Sequence, residues 1–111
     1  MPKPFIPVEL DRQRRIRYST NALIAMEDQM GKKVGVVIKE FNEGLFGFKD
    51  IRIMLWAGLM EDDRKLTLSK VGDIMDDVGF ERAVDCIGKG FEAAFDDGEP
   101  KNEQGPVGSS V

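Results

Sequence analysis

The chain has no histidine and a single cysteine, Cys86, among its 111 residues. The first absence removes the usual general base near neutral pH, the commonest transition-metal ligand and any serine–histidine or cysteine–histidine pair. The second excludes an intramolecular disulfide and a cysteine-rich metal site. No apolar run approaches the roughly 20 residues needed to span a bilayer. The opening MPKPFIPVEL has one lysine, three prolines and no long apolar segment, so it does not read as a signal peptide and points to the cytosol. Neither GxGxxG after a strand nor a GxxxxGK phosphate loop is present. These absences leave no catalytic residue, cofactor site or metal site to assign, and a non-enzymatic protein is expected.

What is present is ordinary in amount and uneven in distribution. Hydrophobic residues make up 41% and charged residues 32%, which suits one globular domain able to bury a core without staples. Residues 1–18 hold five Lys/Arg against two Asp/Glu, whereas residues 61–111 hold six against thirteen. Such polarity suits salt-dependent contacts with partners, or simply a set of solvated faces.

Period-two alternation in FIPVELDRQRRIRYS predicts a β-hairpin turning at Asp11-Arg12-Gln13. Pro4 and Pro7 restrict the first strand to an edge. Ser19, Thr20 and Asn21 are good N-caps for a helix over 21–30, which Gly31 can close in the left-handed conformation. Val34, Val37, Ile38 and Phe41 follow the i, i+3, i+4, i+7 spacing that a strand cannot place on one face, so a helix ending at Gly44 is expected despite the valines.

A third helix over 49–61 is apolar almost all round, with Ile51, Met54, Leu55, Gly58 and Leu59 on one face and Ile53, Trp56 and Met60 widening it. Such a helix is usually central. Glu61-Asp62-Asp63-Arg64-Lys65 reads as a solvated connection. Thr67 caps a fourth helix closing at Gly79, and a fifth repeats Phe80, Ala83, Val84, Ile87, Phe91, Ala94 and Phe95. The expected architecture is mainly α: one domain over 1–97 of about five helices with a short N-terminal hairpin, then a disordered tail over 98–111.

Several groups could carry chemistry, each with a plainer account. The acidic clusters at 61–63, 73–77 and 96–99 lack the alternating oxygen ligands and terminal glutamate of a calcium loop, and read as solvated surface. The run Arg12 to Tyr18 has the charge for phosphate contact, but arginines guarding a strand edge explain it equally well. Gly88 and Gly90 inside the fifth helix cost about 1 kcal/mol each against alanine, for a close neighbour or for mobility. Cys86 sits beside the apolar stripe as a small buried hydrophobe. Methionines 26, 30, 54, 60 and 75 read mostly as core, though some could line an adaptable surface.

Four strings in order — RYSTNALIAMEDQMG at 17–31, FKDIRIMLWAGLM at 48–60, LTLSKVGDIMDDVG at 66–79 and GFEAAF at 90–95 — resemble the tail assembly chaperone family of tailed bacteriophages, also found in gene transfer agents. The likeness spans roughly residues 8–96. Ser69-Lys70 departs from it, since acidic residues would open that helix in the family.

The resemblance implies a small helical protein acting in the cytoplasm of an infected or lysogenic host. There it would bind the tape-measure protein, keep it soluble, promote polymerisation of tail-tube protein and be absent from the mature virion. It also implies that a frameshifted longer form can exist. Self-association stays open. A component retained in the virion, such as a tail-completion or connector protein, is the alternative, and a small nucleic-acid-binding regulator is a more distant one. A holdase needs adaptable apolar surface; Phe46, Phe48, Ile53, Trp56 and Met60, with Leu45, are the candidate partner-binding residues.

Overall fold

The computed structural model describes residues 3–95. Strands β1 (Ile6–Glu9) and β2 (Gln13–Ile16) pair antiparallel, with Ile6 opposite Ile16 and Glu9 opposite Gln13. The turn is one residue earlier than the sequence suggests, because Gln13 is already in the ladder. Pro7 brings no N–H to β1, which is tolerated because the sheet has only these two strands and both are edges. Val8, Arg14 and Ile16 are buried while their chain neighbours are more exposed, as the alternation requires.

Helix α1 (Thr20–Met30) begins where the Ser19 hydroxyl accepts the Ala22 N–H at 3.2 Å, and ends at Gly31, whose φ of 69° is left-handed. Helix α2 (Val34–Asn42) follows at once. Its first N–H is held by Glu27 of α1, whose Oε2 accepts from Val34 at 2.8 Å. Helix α3 (Phe48–Leu59) starts at Gly47, whose N–H donates to the Asp50 carboxylate at 2.8 Å; glycine has no side chain to return the bond. Thr67 caps α4 (Leu68–Val78) by accepting the Lys70 N–H at 3.1 Å, so the missing acidic residues there do not cost the cap. Gly79, at φ 94°, turns the chain directly into α5 (Phe80–Phe95).

The fold is mainly α, with five helices and an N-terminal hairpin among the described residues. The expected tail over 98–111 lies outside them. Helix α3 is the centre, packed against β2, α1, α4 and α5. Its Ile51, Ile53, Met54, Leu55, Ala57, Gly58 and Leu59 are all buried. Each large side chain so buried contributes about 1.5–3 kcal/mol.

Two glycines let the backbone after β2 lie between α3 and α5. A Cβ at Gly58 would stand 2.5 Å from Ile16 Cγ1, and one at Gly90 would stand 2.6 Å from Tyr18 Cε2. Across the same contact the Arg17 N–H donates to the Gly58 carbonyl at 2.9 Å, and the Tyr18 hydroxyl to the Met54 carbonyl at 2.7 Å. Gly90 therefore has the close neighbour its helical position called for. Gly88 does not: nothing lies within 4 Å of where its Cβ would be.

Candidate functional site

The acidic connection after α3 is engaged rather than simply solvated, contrary to the sequence reading. Arg14 is buried, and its guanidinium donates to both Asp11 oxygens at 2.7 and 3.0 Å and to Asp63 Oδ2 at 3.3 Å. The backbone N–H and Nε of Arg15 donate to Asp62 at 3.1 and 3.0 Å. Arg12 pairs with Asp63 at 3.7 Å and Arg17 with Glu61 at 3.8 Å. The physical reason is placement: β2 packs on α3, so its arginines arrive beside the carboxylates that follow α3.

The Arg14 guanidinium holds the Asp11 carboxyl below the usual carboxylate range, and Asp11 in turn raises Arg14. The basic run thus forms a seam of charge with the carboxylates after α3, in which Arg14 is buried while Arg12 and Arg15 stay exposed.

The five residues marked for partner binding fall into different places. Ile53 is 3% exposed and belongs to the core, because the central helix has neighbours on nearly every side; it leaves the candidate surface. Trp56 is half-buried, and its Nε1 donates to the Leu66 carbonyl at 3.2 Å where the chain folds back over it. Met60, at the end of α3, is also half-buried, one turn beyond Trp56, whose carbonyl accepts its backbone N–H at 2.9 Å. Phe46 is half-buried and stacks on Phe41, with ring centroids 5.4 Å apart. Phe48 alone is open, at 73% exposure, and Leu45 beside it is 62% exposed.

Phe48 belongs to a chain of aromatic contacts that runs out from the core. Tyr18 meets Phe91 at 4.5 Å, Phe91 meets Phe41 edge-on at 5.3 Å, and Phe46 links Phe41 to Phe80 at 6.1 Å. Phe80 then meets Phe48 edge-on at 4.8 Å. The last pair borders a groove of about 640 Å³ between α3 and the α4–α5 junction, lined also by Lys49, Arg52, Met75 and Asp76.

A smaller groove of about 270 Å³ lies between α2 and α5, over Ile38, Phe41, Phe91 and Phe95, with Gly88 in its floor. Sequence reasoning missed Phe80, Lys49 and Arg52 as neighbours of Phe48 around this groove, whereas Met75, read as core, is buried as expected. The available signal was that Gly79 ends one helix and Phe80 starts the next, which puts an aromatic ring at a corner of the fold.

Chemistry elsewhere is sparse. Burial pushes the Tyr18 phenol well above its ordinary value and raises the Cys86 thiol as well. Among the described residues no group of three histidine, cysteine, aspartate or glutamate side chains is placed to hold a metal ion. No helix among them is long and apolar enough to cross a membrane. No protein-family model, curated protein or solved structure matches the chain.

Proposed function

We propose that this chain is a phage or prophage tail assembly chaperone, a non-enzymatic protein that binds the tape-measure protein, keeps it soluble and promotes tail-tube polymerisation. The observation that carries the reading is the exposed Phe48, set edge-on against the half-buried Phe80 beside a groove, with Leu45 also open close by in the chain. An apolar, adaptable surface of this kind is what a protein needs to hold an aggregation-prone partner. The ordered likeness of residues 17–31, 48–60 and 66–79 to that family supplies the identity of the partners. The action takes place in the host cytoplasm, before the virion is complete.

Co-expression with the product of the longest open reading frame encoded nearby, the expected tape-measure protein, tests the proposal. The tape-measure protein should move to the soluble fraction and co-purify with this chain; unchanged insolubility overturns the reading. Mass spectrometry of purified particles separates it from a retained tail-completion or connector component, since a chaperone is absent from the particle.

A further inference from the structure

The groove at Phe48 and Phe80 is apolar at its base and carries charge that the fold leaves unused. Among the described residues Lys49 and Arg52 on the α3 wall are in no ion pair, as is also true of Lys33, Arg64, Lys65 and Lys70 elsewhere; what marks these two is that both line the one groove. The Nε–H of Arg52 is buried with no hydrogen-bond partner. The stem of Arg52 lies over Gly72 of α4, where a Cβ would make an ordinary contact 3.6 Å from Arg52 Cδ. On the opposite wall Asp76 is exposed and also outside any ion pair among the described residues. The groove is therefore cationic along α3 and anionic along α4. Phe48, Met75 and Phe80 lie with these charges.

We infer that this groove receives an amphipathic helix of a partner polypeptide, with a carboxylate beside its apolar stripe set against Lys49 and Arg52. The inference deepens the chaperone reading and rests on it for the partner being a polypeptide. A helix fits because none of the groove's lining residues lies in a strand, so there is no edge for an added strand to pair with. A helix brings its backbone hydrogen bonds already made, and its desolvation on docking costs less. The apolar stripe covers Phe48 and Phe80, and the carboxylate gives Arg52 an acceptor. Asp76 fixes the direction, because a carboxylate turned towards α4 meets a like charge.

Three short helical peptides test this, identical in a leucine stripe at i, i+3 and i+4 and differing in one flanking residue: Glu, Gln or Lys. Titrated into the ¹⁵N-labelled full chain, the Glu peptide should shift the amides of Phe48, Lys49, Arg52, Met75 and Phe80. It should bind about threefold more tightly than the Gln peptide, the scale of one or two exposed ion pairs, and the Lys peptide more weakly still. Asp76→Asn should tighten the Glu peptide, and Lys49→Glu should reverse the order so that the Lys peptide binds best. Both residues are exposed, so their variants keep the fold and its dispersed spectrum.

Equal affinities, shifts confined to other faces, or no binding by any peptide would each overturn the inference. Co-purification of the tape-measure protein is read separately, so a failed groove and a failed chaperone assignment give different results.

Discussion

Tyr18 lies against Gly90 so closely that a single methyl group on the glycine would stand 2.6 Å from the ring. Gly58 faces Ile16 in the same way from the other helix, at 2.5 Å. Gly58→Ala and Gly90→Ala should therefore each destabilise the domain by about 1–3 kcal/mol, the cost of overpacking a filled site. Gly88→Ala, two residues earlier and so on a different face of α5, with nothing within 4 Å of the added methyl, should be neutral or stabilising by up to about 1 kcal/mol. Urea denaturation of the three variants checks the contrast, and a Gly88→Ala loss as large as the others would refute the packing account.

Alkaline pH should loosen the same contact. The Tyr18 phenol titrates far above its ordinary value of 10.0 because it is buried. In the unfolded chain it ionises near that value. Its stabilising effect is thus complete below about pH 10 and is lost as pH rises towards the folded value. Cys86 adds a loss of the same sign, so the comparison belongs in a Cys86→Ala background. There Tyr18→Phe should cost about 1 kcal/mol at neutral pH through the lost bond to Met54, yet flatten the alkaline decline. An unchanged alkaline limb would show that the loss arises elsewhere.

Acid acts on the hairpin seam. Asp11 is depressed below 3.8 by Arg14, so its contribution is present above that pH and is lost as pH falls through the lower folded value. Thermal denaturation of Asp11→Asn should show a shallower acid decline than the natural chain. With the Asp11 side chain 31% exposed, the neutral-pH cost should stay below about 1 kcal/mol. A variant as acid-labile as the natural chain would remove Asp11 from the seam's energetics.

Phe48 and Ile53 should separate binding from folding. Phe48→Ser should change stability by no more than about 0.5 kcal/mol, as for most exposed positions, while reducing capture of the tape-measure protein. Ile53→Ala, in the core, should cost about 2–5 kcal/mol. Equal capture by natural and Phe48→Ser chains would move the binding surface away from this groove.

Duplex DNA provides the counter-test for the basic run. With Arg12, Arg14, Arg15 and Arg17 facing Asp11, Glu61, Asp62 and Asp63, fluorescence anisotropy at low salt should show no tight, steeply salt-dependent binding.

Local chemistry made the elements legible. Ser19 and Thr67 cap the helices they precede, Gly31 and Gly79 end those they follow, and the spacing of Val34, Val37, Ile38 and Phe41 correctly outweighed the strand preference of valine. What could not be read was the pairing of distant elements. Asp63 and Arg14 are 49 positions apart, and nothing local to Glu61-Asp62-Asp63 reveals that three carboxylates will meet the hairpin's arginines. The candidate surface was half legible for the same reason. A helix apolar all round announces that it is central, but which flank stays open depends on its neighbours. Those neighbours enclosed Ile53 and left Phe48 outside.

The strand exit held between Gly58 and Gly90 also sets an order of events at synthesis. The hairpin leaves the ribosome before the helices, yet Ile16 and Tyr18 cannot be fully enclosed until α5, the last described helix, has been made. Closure therefore depends on contacts between the hairpin and α5, which lie far apart in the described chain. Until then the apolar length of α3 lacks one wall. For that interval the nascent chain is itself a protein in need of shelter.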